Sequence, residues 1–250
     1  MALTSCRSIF ITGCNRGLGL EFVKQFLNLP CPPEFLFATC RSLAPRSTNE
    51  LKQLASQNKN LHLIQLDVDN HEAIKRAVSE VGEKLQGRGL DILFNNAGTI
   101  DRATLANIKA ESISQLYKTN VVGPLMLTQA FLPFLKKAAA DPNKESSNAL
   151  VLNMSSILGS IEKNTTGGLY SYRASKAALN SINRSLSVDL KPFGIVSVVL
   201  HPGWARTEMG GPAATVSISD SVSGMMKVIG SLDESKSGMF IDYKGNTLPW

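Results

Sequence analysis

The sequence predicts an α/β fold, a doubly wound parallel sheet with helices on both faces, formed by residues 1–250 as one domain. Three observations predict it. Short apolar runs of strand length alternate with stretches of helical period from end to end. A glycine turn follows the first run and opens a helix. The residues with chemical potential then fall at the carboxyl ends of the runs, where an open parallel sheet has its ligand crevice. No period of about 20 to 50 residues repeats, and no composition break separates two halves.

Length and composition narrow the function classes. The 250 residues, 43% apolar and 18% charged, are enough to bury a sizeable core. No segment approaches the ~18 consecutive apolar residues of a membrane span. The start MALTSCRSIFITG runs at once into a strand and a glycine turn, without the basic and apolar regions of a signal peptide. A cytoplasmic protein with no membrane partner is expected. The net charge of +6 is spread along the chain, with no basic run interleaved with aromatics, which argues against nucleic acid and suits a polyanionic cofactor. Cys6, Cys14, Cys31 and Cys40 show no CxxC spacing and no nearby histidines, so free thiols and no metal site are expected.

The elements follow in order. Ser8–Thr12 reads as a buried strand, and Gly13-Cys14-Asn15-Arg16-Gly17-Leu18-Gly19 opens a helix to about Asn28. Glycines there permit a tight turn and close approach of a pyrophosphate, whose charge is met by free N–H groups at the helix start. Phe35–Thr39 is a second strand, followed by Cys40 and Arg41 where an NAD enzyme would carry a ribose-binding carboxylate. A guanidinium suits a 2′-phosphate instead, which favours NADPH, and Arg16 can reach the same group. A polar helix over about Asn49–Gln57 leads to strand Leu61–Leu66 and to Asp67-Val68. Asp67 either accepts from an adenine amino group or begins a loop or caps a helix.

His71–Leu85 is an amphipathic helix, Leu90–Phe94 a fourth strand, and Asn95-Asn96-Ala97-Gly98 a small-residue turn that lets a ligand approach the backbone. One long helix is expected over about Ser112–Lys137, kinked at Pro124. Proline donates no N–H, so the Asn120 carbonyl loses its helical partner and is presented to water. Asp141–Asn148 reads as a polar surface loop and Ala149–Met154 as a fifth strand ending in Ser155-Ser156. Ile195–Leu200 is a sixth strand, His201-Pro202-Gly203-Trp204 a turn with Thr207 close behind, and Met239–Ile241 the last strand. Trp204, Met209 and the pair Met225-Met226 are candidates for an apolar pocket.

The stretch Tyr170–Asp189 carries the chemistry. Tyr172 and Lys176 stand four apart on one helical face. An ammonium close to a phenol favours the phenolate and brings its pKa toward the working range, making the pair a candidate proton donor. A serine at the end of the fifth strand can bond a substrate oxygen beside it.

In combination, TGCNRGLG, NNAG, the strand-end serine, YxxxK and PG, in that order, resemble the short-chain dehydrogenase/reductase family over nearly the whole chain. ITGCNRGLGL, LFNNAG, NMSSILGSI, SLSVDL and HPGW resemble its sniffer-type, C-factor-like carbonyl reductases. The resemblance implies a Rossmann-type fold and NADP(H) chemistry on a small-molecule carbonyl. It makes Tyr172 the proton donor, Lys176 the group that tunes it and bonds the nicotinamide ribose, Ser156 the orienting hydroxyl, and Asn120 the holder of a water on the proton path. It gives Gly13, Arg16, Gly17, Leu18 and Gly19 to the phosphates and Arg41 to the 2′-phosphate. Asp67 and Val68 go to the adenine, Asn95, Asn96, Ala97 and Gly98 to the adenosine ribose, and Pro202, Gly203 and Thr207 to the nicotinamide. Relatives often pair through helices, which leaves a homo-oligomer open. The interval from Ser156 to Tyr172 is longer than the family's usual one, so Ser160 competes with Ser156. Three functions share these residues: a reductase, a nucleotide-binding sensor with little catalysis, and an alcohol or steroid dehydrogenase.

Overall fold

The computed structural model describes residues 3, 6–142 and 149–250. Seven parallel strands form one sheet in the order β3-β2-β1-β4-β5-β6-β7. They are β1 (Ser8–Ile11), β2 (Phe35–Cys40), β3 (Leu61–Gln65), β4 (Ile92–Asn95), β5 (Ala149–Met154), β6 (Ile195–His201) and β7 (Phe240–Asp242). The chain winds outward from β1 to β3, returns to β4, and winds the other way. The switch point therefore lies between the carboxyl ends of β1 and β4, where such sheets bind ligands.

Side chains that alternate along each strand feed two cores. Ile9 and Ile11, Ile92 and Phe94, and Leu150 and Leu152 face α1 (Gly17–Leu27) and α7 (Ile218–Gly230), meeting Phe22, Val23, Phe26, Met225 and Ile229. Phe10, Leu93 and Val151 face the opposite way, toward α3 (His71–Leu85) and α5 (Gly123–Ala139), meeting Ile74, Val81, Phe131 and Leu135. The rings of Phe10 and Phe131 lie 4.6 Å apart. A Phe131→Ala cavity there would cost roughly 3–5 kcal/mol.

Four expectations need correction. The helix α2 runs Pro45–Gln57, starting earlier than Asn49 because a proline suits the first helical turn. The long helix is divided into α4 (Ala110–Tyr117), a π turn (Lys118–Val122) and α5. Within it the Gly123 N–H reaches back five residues to the Lys118 carbonyl, and Pro124 lies in the first turn of α5. Met225 and Met226 are core residues between α7 and the sheet, so neither lines a pocket. The fourth strand starts at Ile92, since the Leu90 N–H is taken by the Phe134 carbonyl. Beyond Pro142, the polar loop expected to Asn148 lies outside the described residues.

The chain after β7 folds back. Asp242 Oδ1 accepts the N–H groups of Lys244 and Asn246, Thr247 bridges Ile241 antiparallel, and the Leu248 N–H reaches the Phe240 carbonyl. This return segment stacks the Trp250 indole on Phe240, with ring centroids 5.6 Å apart.

Candidate active site

The glycine turn is held against its neighbours by backbone bonds. The Cys14 N–H donates to the Thr39 carbonyl at 2.8 Å, which sets the turn beside the end of β2, two residues before exposed Arg41. Thr12 Oγ1 accepts the N–H groups of Asn96 and Ala97, and Asn96 Nδ2 donates to the carbonyls of Thr12 and Gly13. Helix α1 has no room for a side chain at Gly19, where a Cβ would stand 2.2 Å from the Gly13 carbonyl oxygen. Gly13 has φ +72°, and a Cβ on it would meet Ala97. At the head of α1 the N-cap Arg16 makes no side-chain cap, and the first turn holds no acidic residue. The N–H groups there are free for an anion and the helix dipole favours one, so the cradle fits the phosphates of a dinucleotide. Leu18 packs on the core below the turn. A Cβ on Gly17 would touch Thr207 Cγ2, and Arg16 Nε lies 3.3 Å from the Glu208 carboxylate, both side chains being exposed. The segment after Gly203 therefore closes over the cradle.

Three of the expected contacts have partners within the fold. Asn95 turns its amide into the sheet, donating to Asn153 Oδ1 at 2.9 Å, so its side chain cannot line a ribose. Asp67 Oδ1 accepts the Asp69 N–H and begins a loop, while the cap of α3 is Asn70. Val68 is buried and would crowd any Cβ on Gly123. The Pro202 carbonyl accepts from Ser221 Oγ at 2.6 Å, which fixes the loop over the crevice.

Tyr172 and Lys176 both lie on the buried face of α6 (Tyr170–Asp189). Burial pushes the Tyr172 phenol up to about 12, against the opposing hydrogen bond of Ser156. Burial pushes the Lys176 amine down to about 8. Lys176 Nζ donates to the Met154 carbonyl at 2.8 Å and lies 5.7 Å from the Tyr172 ring centroid. The expectation that the ammonium lowers the phenol is opposed by desolvation, which raises it. Desolvation acts against ionisation of the phenol. Ser156 also accepts the Leu158 N–H, whereas Ser160 Oγ donates to the Trp250 carbonyl and accepts from the Lys163 N–H. Of the two serines, only Ser156 contacts the phenol.

Asn120, fully buried in the π turn, is fixed on three sides. Its amide donates to the Thr99 carbonyl and Ser175 Oγ and accepts the Thr99 N–H. A Cβ on Gly98 would lie 3.3 Å from Asn120 Oδ1 and 3.5 Å from Lys176 Nζ, so NNAG, the π turn and α6 converge there.

Two features extend beyond what the sequence indicates, which is only that the Asn95 and Asn96 amides can bond neighbouring strands. A buried amide chain runs from Asn95 through Asn153 to Asn183 on α6, whose Oδ1 also accepts from Ser197 Oγ. His201 Nδ1 accepts the Ile157 N–H at 3.2 Å, and burial pushes the imidazole down to about 4. A neutral His201 thereby braces the turn that follows Ser156. An Asn on the inward position of a strand would have signalled the first; the HPGW turn hid the second. Trp204 and Met209 are exposed at the crevice, with the Trp204 indole N–H donating to the Gly210 carbonyl. All four cysteines are free, and no metal-holding cluster occurs among the described residues. No helix among them is long and apolar enough to cross a membrane.

A nucleotide cradle at the switch point and a phenol, amine and hydroxyl converging beside it define a nucleotide-dependent oxidoreductase. The chain belongs to the short-chain dehydrogenase family, whose profile matches residues 7–216. It is similar to an NADPH-bound carbonyl reductase from chicken fatty liver, at 43% identity over 98% of this chain and 99% of that one, with a TM-score of 0.92. It is equally similar to the carbonyl reductase Sniffer of D. melanogaster, at 44% identity over 98% and 100% of the two chains, with a TM-score of 0.94. A further relative, the C-signal of Myxococcus xanthus, is 44% identical over 162 residues, covering 64% of this chain and 93% of that protein.

Proposed function

We propose that this protein is an NADPH-dependent carbonyl reductase that acts on ketones, aldehydes or quinones, with Tyr172 as the general acid. The observation that carries the reading is the buried phenol of Tyr172 in contact with Ser156 at the carboxyl edge of β5, with Lys176 one turn along the same helix face. NADPH, when bound, supplies the hydride. The chain's own groups supply the rest. Ser156 orients the carbonyl oxygen toward Tyr172, whose proton neutralises the oxygen as charge develops there. Lys176, one helical turn on, replaces that proton electrostatically and holds the nicotinamide ribose. The Asn120 carbonyl, denied a helical N–H by Pro124, holds the water that leads to Lys176. Arg41 and Arg16 take the 2′-phosphate, and Arg16 exchanges Glu208 for it. Nucleotide use in the chicken relative supports the cofactor assignment. The same residues serve dehydrogenation, but the two arginines favour the reduced phosphorylated cofactor that cells use for reduction.

The likeness to a protein named C-signal favours a second reading, nucleotide sensing with little catalysis. Oxidation of NADPH and of NADH, measured with a panel of quinones, aromatic ketones and aldehydes, separates the two. The reductase gives turnover with NADPH preferred, and Arg41→Asp lowers that preference about tenfold or more. Tight NADPH binding with no turnover on any member of the panel favours the sensor.

A further inference from the structure

The segment of residues 157–169 joins Ser156 to the helix of Tyr172, so it is tethered at both ends to the catalytic set. It is pinned at three places. Near its start, Asn180 Nδ2 donates to the Gly159 carbonyl, and Gly159 lies so close to α6 that a Cβ would stand 2.9 Å from Lys176 Cβ. Near its end, Arg173 donates to the carbonyls of Gly167 and Gly168 and to Thr166 Oγ1. In the middle, its contact is with the far end of the fold. The Trp250 carbonyl accepts both Ser160 Oγ at 3.2 Å and the Glu162 N–H at 3.1 Å. Ser160 is 1% exposed, and its hydroxyl completes the turn by accepting the Lys163 N–H. Between these two anchors Ile161 stands 79% exposed.

Trp250 has its own support. Its indole stacks at 19° on fully buried Phe240 of β7, and the return segment that delivers it pairs with β7. A rigid strand is thereby coupled through one carbonyl to a loop of the site. We infer that Ser160 and Trp250 are positioning residues: they form a latch that sets where the Ile161 segment stands and so selects among carbonyl substrates by size. This inference rests on the reductase reading. It gives Ser160 a role other than the catalytic one that its sequence position leaves open. A latch of two hydrogen bonds and one ring stack is worth enough to alter binding by a factor of roughly ten, and too little to decide whether the chain folds.

The test has two independent readouts on wild type, Trp250→Ala, Trp250→Phe and Ser160→Ala. The first is limited trypsin cleavage after exposed Lys163, which needs no catalysis. The latch predicts cleavage faster by roughly tenfold in Trp250→Ala, less so in Ser160→Ala, and near wild type in Trp250→Phe, where a ring still stacks. The second is kcat and KM for a small aldehyde and for a multi-ring ketone or quinone. KM for the large substrate should change by roughly three- to tenfold in Trp250→Ala, with kcat for the small aldehyde and the NADPH Kd within about twofold of wild type. Unchanged cleavage after Lys163 in both Trp250→Ala and Ser160→Ala overturns the latch, whatever the activity. Faster cleavage with no size-dependent change in KM overturns its role in selecting substrates. An absence of turnover in wild type would count against the reductase reading alone, since the cleavage comparison would still stand.

Discussion

At the scale of single residues, the decisive fact is that Tyr172 is buried against Ser156 on the face of α6 that also carries Lys176. From sequence, the four-residue spacing to Lys176 was legible, as were the glycine turn, Arg41 and the strand-end serine, because each is a fixed residue type at a fixed offset. What the spacing could not give is the balance between a nearby amine and desolvation, which depends on how deeply α6 is buried. Sequence position favours Ser156, which directly follows the strand, and the contacts favour it too: Ser156 contacts the phenol, and Ser160 is held by Trp250. Ser156→Ala is expected to lower kcat by about 10² or more while leaving NADPH Kd nearly unchanged, and Ser160→Ala should leave kcat for a small aldehyde within about twofold. Steady-state kinetics on the two variants check this, and the reverse pattern would reassign the serine.

At the scale of elements, α6 and the π turn explain why the sequence reading was incomplete. The buried face of α6 is built mainly from Ser171, Ser175, Lys176, Asn180, Asn183 and Ser187 beside Tyr172, so apolar periodicity is nearly silent there. The helix is held instead by hydrogen bonds such as Asn183 to Asn153 and Asn180 to Ser155. Strand alternation made the sheet legible, because β1, β4 and β5 are buried on both faces and read as continuous apolar runs. Pro124 announced a kink, and the chain answers with a π turn in which Asn120 bonds Thr99 and Ser175. In Pro124→Ala an N–H is restored opposite the Asn120 carbonyl. We expect kcat to fall about tenfold with unchanged NADPH affinity, as the carbonyl is withdrawn from the proton path. Unaltered kcat in that variant would remove the π turn from the mechanism.

At the scale of the whole molecule, one sheet with a core on each face is expected to unfold in a single cooperative transition, seen as coincident far-UV and fluorescence melts. Buried groups contribute to its pH dependence, His201 and Lys176 among them. His201 titrates at about 4 in the fold against an ordinary 6.5, so the unfolded chain takes up the proton first as the pH falls. Stability is therefore lost between about pH 6.5 and 4, by up to about 3 kcal/mol from this residue, and His201→Asn should flatten that part of the profile in urea titrations. Lys176 titrates at about 8 against 10.5, so its contribution rises from about pH 8 to 10.5. In the proposed reaction Tyr172 gives its proton to the carbonyl oxygen. The most direct measurement is single-turnover NADPH oxidation by wild type and Tyr172→Phe, preloaded with cofactor and mixed with a saturating quinone or ketone across pH. Reduction in wild type should be steady through neutral pH, decline in the alkaline range as the phenol ionises, and be slower by about 10² to 10⁴ in Tyr172→Phe with NADPH still bound. A Tyr172→Phe protein that reduces the carbonyl as fast as wild type would contradict the mechanism.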